Sequence, residues 1–221
     1  AVCFHIYNRG KIMIKRIILA SSSPRRKEIL AMLGLPFEVV SPDADENIKE
    51  ALSPEEYVCT LSERKGKAAR VELIERGENL DNTLIISCDT IVYYNGMVIG
   101  KPQSELHAAL TLGVLSDSWH TVYSGLTLQL GDCRCSESCA TDVKFAAISE
   151  RQINDYVRSG EPMGKAGAYA IQARGAELVE RINGDFFNVM GLPVSTLSSM
   201  LKNYFKTDAL ELSFALKGEE K

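Results

Sequence analysis

The hydrophobic pattern alternates between short apolar runs and longer amphipathic stretches, which is typical of an α/β fold. The apolar runs Ile17–Ala20 and Thr83–Cys88 predict buried strands, and Phe37–Ser41 predicts another strand between them. Apolar residues at every second position predict a half-buried strand over residues 122–130, and Val143 belongs to its predicted partner. The chain is long enough for one large α/β domain or for two small lobes.

Serine residues mark the predicted helix starts, because a serine side chain can accept a hydrogen bond from the free N–H groups of a first turn. Such serines are found at Ser23, Ser53, Ser104 and Ser149. Two of them, Ser53 and Ser149, have Glu or Gln three residues later, which completes a capping box. A last helix is predicted to begin near Pro193.

Polar or turn-forming residues interrupt the strand pattern at three places. Asp89 follows Cys88, so the pattern predicts that one strand ends there and that another begins at Ile91. An aspartate at a strand end can cap a turn, or it can be a base or metal ligand held on a rigid element. A short strand is predicted over Ala168–Gln172, and Asn183–Gly184 predicts a hairpin turn.

The sequence shows no internal repeat and no linker long enough to separate domains, which indicates one domain with two short extensions. The predicted boundaries are an N-terminal extension at 1–14, one domain at 15–205 and a C-terminal tail at 206–221, which is expected to be flexible. The net charge of −4 and the pI of about 5.5 argue against a nucleic-acid-binding protein, which normally carries a basic surplus. The apolar runs are too short to span a bilayer and no signal-peptide pattern is found, so a cytoplasmic protein is expected.

Three of the six cysteines lie close together in the sequence, at Cys133, Cys135 and Cys139. They could form part of a zinc site, but no fourth ligand lies nearby and the paired C-x-x-C spacing is absent. The segment also contains glycine and serine. It is therefore predicted to be a turn between two strands, with incidental thiols.

The segment from Ser21 to Arg26, Ser-Ser-Ser-Pro-Arg-Arg, directly follows the first predicted strand. It places three hydroxyl groups and two arginines at the first turn of a helix, where free N–H groups and the helix dipole favour an anion. Two arginines at that end oppose the dipole and repel each other, so stability alone does not explain them. The segment fits a phosphate-binding site, and the alternative is a capped surface helix that begins with basic residues.

Cations in separate segments of the chain indicate a larger phosphate site. Each of them alone is explained as a solvated surface charge. Several, however, lie beside Gly or Pro in predicted loops, and Lys65 lies on the apolar face of its helix, four residues after Leu61. Together with the carboxylates Asp45, Glu46 and Asp89, they fit a polyphosphate site with a divalent metal. The cations are Arg25, Arg26, Lys65, Lys101 and Lys165.

Seven short motifs follow one another between about Ile17 and Tyr204. They are Ser-x-Ser-Pro-Arg-Arg at 21–26, Asp-Glu at 45–46, Glu-Arg-Lys at 63–65, Asp-Thr at 89–90 with Gly-Lys-Pro at 100–102, Val-Tyr-Ser-Gly at 122–125, Gly-Lys-Ala-Gly-Ala-Tyr-Ala-Ile-Gln at 164–172, and Gly-Asp-Phe-Phe-Asn-Val-Met-Gly-Leu-Pro at 184–193. In this order and at this spacing the motifs resemble the Maf family of nucleoside triphosphate pyrophosphatases. One such motif is weakly specific, whereas seven in order over nearly the whole chain are highly specific.

The resemblance implies an elongated ITPase-like α/β fold, in which helices flank a mixed sheet and a central cleft separates two lobes. It also implies that water attacks the α-phosphorus of a nucleoside triphosphate and releases the monophosphate and pyrophosphate. Asp89 matches the family's general base, and Glu46 matches an acidic residue that assists the metal or the water. Both would hold a divalent cation, Mg²⁺ or Mn²⁺. The residues that would hold the triphosphate are Ser21, Arg26, Lys65, Lys101 and Lys165.

Three positions, Arg25, Thr90 and Gln172, match those at which family branches differ in base choice. Their combination resembles the branch that acts on dTTP and UTP, and a glutamine can pair with a pyrimidine edge as donor and acceptor. The branch that acts on 7-methyl-GTP typically carries an aromatic residue where Arg25 stands, and it stays as an alternative. A second alternative is a nucleotide-binding regulator of cell division with little turnover. Dimers are common in the family, so a homodimer is also implied.

Overall fold

The computed structural model describes residues 13–218, and a seven-stranded mixed sheet runs through this part of the chain. The strands are β1 (Arg16–Ala20), β2 (Glu38–Val40), β3 (Thr83–Tyr94), β4 (Met97–Ile99), β5 (Trp119–Leu130), β6 (Cys133–Phe145) and β7 (Val179–Asn183). Their order across the sheet is β2-β1-β3-β5-β6-β7, and β4 pairs with β3. β1 runs parallel to β2 and β3, whereas the other pairs are antiparallel. The expected α/β fold with a mixed sheet is confirmed.

Helices connect and cover the strands. Within residues 13–218 the α-helices are α1 (Pro24–Met32), α2 (Pro54–Glu75), α3 (Glu105–Leu115), α4 (Glu150–Arg158), α5 (Phe186–Met190), α6 (Val194–Met200) and α7 (Ala209–Gly218). The serine caps act as predicted at α2, α3 and α4, where each side chain accepts a hydrogen bond from a first-turn N–H. Ser23 precedes α1 but makes no side-chain cap hydrogen bond.

The core consists of apolar clusters on both faces of the sheet. Side chains alternate along β1, so that Ile18 belongs to a small cluster with Leu73 of α2, whereas Ile17 and Leu19 belong to the larger cluster. Because both faces of the strand are covered, its sequence is continuously apolar rather than alternating.

β3 continues through Asp89, so the predicted strand end at Cys88 is wrong. The reason is β5, which pairs with β3 along most of its length and places Gly125 directly opposite Asp89. β1, in contrast, stops at Ala20, opposite Ser87. Asp89 therefore lies just beyond the parallel part of the sheet, in the middle of its own strand.

One further strand prediction and one turn prediction are wrong. Residues 168–172 form no strand, because Gly167 and Ala168 adopt positive φ angles of 69° and 58° in a 3₁₀ turn. Asn183–Gly184 does not form a hairpin turn. Instead Asp185 caps α5, and its side chain accepts hydrogen bonds from two N–H groups of that helix.

The three clustered cysteines lie in β6 itself and not in a turn. The turn that precedes β6 is at Gly131, whose φ of 57° suits glycine. Cys135 and Cys139 are free thiols. Residues 13–218 contain no group of three or more His, Cys, Asp or Glu that could hold a metal ion.

The C-terminal segment forms α7 where a flexible tail was expected. Leu212 and Leu216, four residues apart, pack into the larger apolar cluster as one face of a helix. The Ser213 hydroxyl donates to the carbonyl oxygen of Gly34 at 2.7 Å. The predicted extension at 1–14 lies outside the described residues, except for its last two. Among the described helices, none has the length and apolar character needed to cross a membrane.

Candidate active site

A cleft of about 870 Å³ opens where β1 stops short of the end of β3. It is lined by the loop after β1, the start of α1, the middle of β3 and parts of the segments 161–173 and 189–191. The structure brings all ten predicted site residues to this cleft: Ser21, Arg25, Arg26, Glu46, Lys65, Asp89, Thr90, Lys101, Lys165 and Gln172.

The guanidinium of Arg26 is held by three uncharged acceptors. Nε donates to the carbonyl oxygen of Gly191 at 2.8 Å, Nη1 to Ser21 Oγ at 3.0 Å and Nη2 to Thr90 Oγ1 at 3.1 Å. Ser21 is buried, and its hydroxyl also accepts from the N–H of Ser23 at 3.2 Å. Because these acceptors are neutral, they fix the orientation of Arg26 without compensating its charge.

Arg25 is held by the same end of α5. Its Nε donates to the carbonyl oxygen of Met190 at 3.2 Å, next to the Gly191 carbonyl that binds Arg26. Burial lowers the pKa of Arg25, and the charge of Arg26 acts in the same direction. An arginine nevertheless stays protonated in a protein, so two adjacent guanidinium groups face the cleft.

Ser124 supports Thr90, although no role was predicted for it from the sequence. The two residues lie directly opposite each other on β5 and β3, and their hydroxyl oxygens are 2.8 Å apart. Ser124 is fully buried, and Thr90 Oγ1 also lies 3.4 Å from the Gly191 carbonyl oxygen. The only sequence signal for Ser124 was its place in the Val-Tyr-Ser-Gly motif.

On the other face of β3, Asp89, Lys65 and Glu46 form a charged cluster. Lys65 Nζ makes a short ion pair with Asp89 Oδ1 and lies 2.8 Å from Glu46 Oε1. The side chains of Asp89 and Lys65 are 12% and 18% exposed, while that of Glu46 is 61% exposed. Two carboxylates therefore share one ammonium at the wall of the cleft.

These contacts shift the pKa values within the cluster. The hydrogen bond from Lys65 lowers the pKa of Glu46 below its ordinary value, although burial acts in the opposite direction. Burial would lower the pKa of Lys65, but the charges and hydrogen bonds of Asp89 and Glu46 outweigh it and raise that pKa. At neutral pH the ammonium and the Glu46 carboxylate are therefore both charged.

Lys65 reaches Asp89 because α2 packs close to the sheet. A Cβ atom on Gly66 would collide with the Ser87 hydroxyl, and one on Gly125 would collide with the backbone of Val58. The absence of these two side chains permits the close approach. It explains why glycine stands beside Lys65 on the helix and opposite Asp89 on β5.

Buried hydroxyl groups fix the position of α2 on the sheet. Ser62 Oγ lies 2.6 Å from Thr127 Oγ1, and the Ser87 hydroxyl donates to the carbonyl oxygen of Ser62 at 2.8 Å. Polar groups buried in this way must find partners, so they favour one register of the helix over others. Lys65 lies three residues after Ser62 on the same helix, so the contacts of Ser62 also fix the position of Lys65.

Arg64 holds the loop that carries Glu46. Its Nη1 donates to the carbonyl oxygens of Asp45 and Asn47 at 3.0 and 2.9 Å. Since these residues flank Glu46, Arg64 restrains an otherwise exposed side chain. Arg64 lies within the Glu-Arg-Lys motif, in which only Lys65 was predicted to have a role.

Lys165 is tied to a loop that Glu161 organises. Lys165 Nζ donates to the carbonyl oxygen of Glu161 at 2.5 Å. The Glu161 carboxylate accepts from the Tyr156 hydroxyl at 2.8 Å and from the N–H of Gly175 at 3.0 Å. Burial lowers the pKa of Lys165, and the charge of Arg25 adds to this effect.

Lys101 and Gln172 differ from the other site residues in their surroundings. Lys101 is exposed at the edge of the cleft, and its charge acts on Glu46. The Oε1 atom of Gln172 is buried, and no hydrogen-bond partner for it lies among the described residues. A buried acceptor without a partner is costly, so this atom is suited to a donor group on a ligand.

Glu46 and Asp89 fit a divalent cation. Mg²⁺ is commonly held by one or two carboxylates together with phosphates of the substrate, rather than by a cage of protein ligands. Here two carboxylates already converge on one positive group, the Lys65 ammonium. The donor set therefore suits a cation that is shared with a polyphosphate.

Known proteins resemble the chain over most of its length. Three bacterial relatives are each named dTTP/UTP pyrophosphatase. The Bacillus cereus protein (strain ATCC 10987) is 38% identical over 203 residues, covering 92% of this chain and 96% of the relative. The Symbiobacterium thermophilum protein is 42% identical over 191 residues, covering 86% and 95%. The Clostridium perfringens protein is 44% identical over 198 residues, covering 86% and 97%.

Among solved structures, that of the Staphylococcus aureus Ham1 protein matches with a TM-score of 0.44 and 14% identity, over 94% of this chain and 100% of that one. This likeness is too low for any conclusion. The sequence profile described as Maf-like protein, in contrast, matches residues 16–204. With this profile match and with relatives at 38–44% identity, the chain belongs to the Maf family.

Proposed function

We propose that this protein is a nucleoside triphosphate pyrophosphatase that hydrolyses dTTP and UTP to the monophosphate and pyrophosphate. The observation that carries the proposal is the single cleft, in which five cations from four separate segments face the carboxylates of Asp89 and Glu46. Phosphoryl transfer needs positioning and charge neutralisation more than covalent help, and this arrangement offers both. The names of the bacterial relatives support the same substrates.

The triphosphate is proposed to lie along the cations of the cleft. Arg26, oriented by neutral groups, and the hydroxyl of Ser21 would bind phosphate oxygens at the end of β1. Lys101 and Lys165 would neutralise charge from the opposite side, since both line the same cleft. Lys65 would join them once it leaves its carboxylate partners.

Asp89 is proposed as the general base. Its carboxylate would take a proton from a water molecule whose oxygen attacks the α-phosphorus. The bond between the α-phosphorus and the oxygen that bridges to the β-phosphorus then breaks, and pyrophosphate leaves with that oxygen. A divalent cation held by Glu46 and Asp89, Mg²⁺ or Mn²⁺, would make the water more acidic and shield the triphosphate charge.

Recognition of the base is proposed to depend on Arg25, Thr90 and Gln172. Thymine and uracil share an N–H donor at N3 beside carbonyl acceptors. The buried, unpartnered Oε1 atom of Gln172 supports an interaction with that donor, while its amide group can donate to a carbonyl. The Thr90 hydroxyl contacts Arg26 and Ser124, so any contact with the base would depend on these neighbours.

A homodimer and a cytoplasmic location are part of the same proposal. Both come from the family resemblance and from the sequence composition. Sedimentation analysis of the purified chain measures the first, and fractionation of the source cells measures the second.

Product analysis with a panel of nucleotides tests the proposed function. The protein is incubated with Mg²⁺ or Mn²⁺ and dTTP, UTP, CTP or 7-methyl-GTP, and monophosphate and pyrophosphate are quantified. We expect release of both products from dTTP and UTP. Preferential cleavage of 7-methyl-GTP would overturn the base assignment, and binding without any turnover would favour the regulatory alternative.

A further inference from the structure

The ammonium of Lys65 occupies the position between the two carboxylates that are the candidate metal ligands. It makes a short ion pair with Asp89 Oδ1 and lies 2.8 Å from Glu46 Oε1. The Lys65 ammonium is therefore the nearest positive charge to both carboxylates. A cation that bound the same two carboxylates would meet this ammonium at close range and be repelled by it.

Lys65 is held near the carboxylates by a rigid support. The helix that carries it is fixed to the sheet through Ser62, Thr127 and Ser87, so the backbone of Lys65 has little freedom to withdraw. The side chain itself is long, unbranched and 18% exposed towards the cleft. It can therefore exchange partners by rotation about its own bonds while the helix stays in place.

A triphosphate would provide the new partner for this exchange. The cleft that Lys65 lines also holds Arg26, Lys101 and Lys165, so the phosphates would arrive beside Lys65. A phosphate oxygen is as good an acceptor for an ammonium as a carboxylate. The cation that accompanies the triphosphate could then take the place of the ammonium between Glu46 and Asp89.

We propose that Lys65 is an exchangeable counter-ion, which keeps the free site from taking up a divalent cation until a triphosphate draws the ammonium away. The cation and the nucleotide then enter together. This inference rests on the proposed function for the identity of the nucleotide, but the competition between ammonium and metal concerns the free protein. It makes Lys65 a residue that orders the binding steps as well as one that binds phosphate.

Titration of the free protein with Mn²⁺ tests the competition without turnover. Unbound Mn²⁺ is followed by its electron paramagnetic resonance signal, with no nucleotide present. The variants are Lys65→Met and Lys101→Met. The second removes a cleft cation whose charge also acts on Glu46, but which does not occupy the space between the carboxylates.

We expect Lys65→Met to bind Mn²⁺ roughly tenfold or more tightly than the wild type, because the competing charge is gone. Lys101→Met should change the affinity by about threefold or less, since an exposed charge at longer range is screened. Equal affinities in Lys65→Met and the wild type would overturn the inference. An equal gain in both variants would also overturn it, because general electrostatics would then explain the effect.

Circular dichroism would show whether Lys65→Met folds. If it does not, a measurement on the wild type still tests the inference. An uncleavable UTP analogue with an imido group between the α- and β-phosphorus should tighten Mn²⁺ binding to the protein by roughly tenfold or more, after the Mn²⁺ bound by the analogue alone is subtracted. In a folded Lys65→Met this enhancement should shrink. No enhancement in the wild type would contradict the exchange. Turnover of dTTP is measured separately, so failure of the proposed function would be seen independently.

Discussion

Asp89 and Thr90 are neighbours in β3, yet their side chains lie on opposite faces of the strand and in different electrostatic surroundings. On the Asp89 face the contacts are ionic, with the ammonium of Lys65 shared between two carboxylates. On the Thr90 face the guanidinium of Arg26 is held by hydroxyl and carbonyl oxygens. One strand therefore separates a cation with ionic partners from a cation whose hydrogen-bond partners are all neutral.

Because of this difference, the two faces would bind phosphate in two different ways. Arg26 needs no rearrangement, because its neutral partners orient it and leave its charge for the substrate. Lys65 can bind phosphate only after it leaves Asp89 and Glu46. The Thr90 face thus provides a fixed anion site, while the Asp89 face provides a site that changes partners when substrate arrives.

Removal of the charge on the ionic face should have the largest effect. Asp89→Asn keeps the shape of the side chain but cannot accept a proton, so pyrophosphate release from dTTP should fall by about 10³-fold. Steady-state assays with Mg²⁺ measure this loss. Asp132→Asn is the matched control, because that carboxylate is fully exposed and does not line the cleft, and it should retain nearly full activity. Similar rates for Asp89→Asn and the control would contradict the assignment of the base.

The two faces can be compared only at a pH at which the protein stays folded. His120 contributes to the loss of stability at low pH. Burial lowers the pKa of His120 from 6.5 to about 4. Between these values the unfolded chain binds a proton that the folded protein does not. The free energy of unfolding should therefore decrease as the pH falls through this window, by about 3 kcal/mol at pH 4.

Urea unfolding of the wild type and of His120→Gln at pH 7, 5 and 4 measures this contribution. The wild type should lose about 3 kcal/mol more than the variant between pH 7 and pH 4. Other groups that titrate in this range are common to both proteins and cancel in the difference. Parallel curves would show that His120 is protonated in the folded state.

A substitution on the Thr90 face should show how much the fixed orientation of Arg26 contributes to activity. Arg26→Lys keeps the charge, but one ammonium cannot reproduce the planar donor geometry that meets Ser21, Thr90 and Gly191. We expect kcat/KM for dTTP to fall roughly 100-fold. Lys101→Arg, at an exposed site, should have little effect. Equal losses in both variants would remove the distinction between oriented and freely solvated cations.

Gln172 lies outside both sets of contacts, so its removal should have the smallest effect on phosphate binding. Gln172→Ala is expected to lower kcat/KM for dTTP and UTP by roughly tenfold, because one buried acceptor is lost. The ratio of UTP to CTP turnover should fall with it. If both pyrimidines lost activity equally, Gln172 would have no part in reading the base.

Local features of the fold could be predicted from the sequence, because they depend on neighbouring residues. The serine caps of α2, α3 and α4 follow from patterns three residues long. The strand end at Asp89 was predicted wrongly, since a polar residue in an apolar run resembles a boundary. The pairing with Gly125 that continues β3 joins distant segments, and no local pattern reveals it.

Prediction of the candidate site from the sequence was limited in the same way. The sequence indicated which residue types belong to the cleft, and the apolar helix face correctly pointed Lys65 inward. The contacts that hold the arginines were not predictable, because Arg26 and the Gly191 carbonyl are separated by 165 positions. Nor could the sequence show that Lys65 lies between two carboxylates, because Glu46 comes from a loop and Asp89 from a strand.

Hydrolysis of dTTP in ¹⁸O-labelled water tests the central claim most directly, since it reveals which phosphorus atom the water attacks. We expect the label to appear in the monophosphate, because the oxygen activated by Asp89 bonds to the α-phosphorus. Mass spectrometry of both products would show an unlabelled pyrophosphate. Label in the pyrophosphate would mean attack at the β-phosphorus and would contradict the proposed reaction.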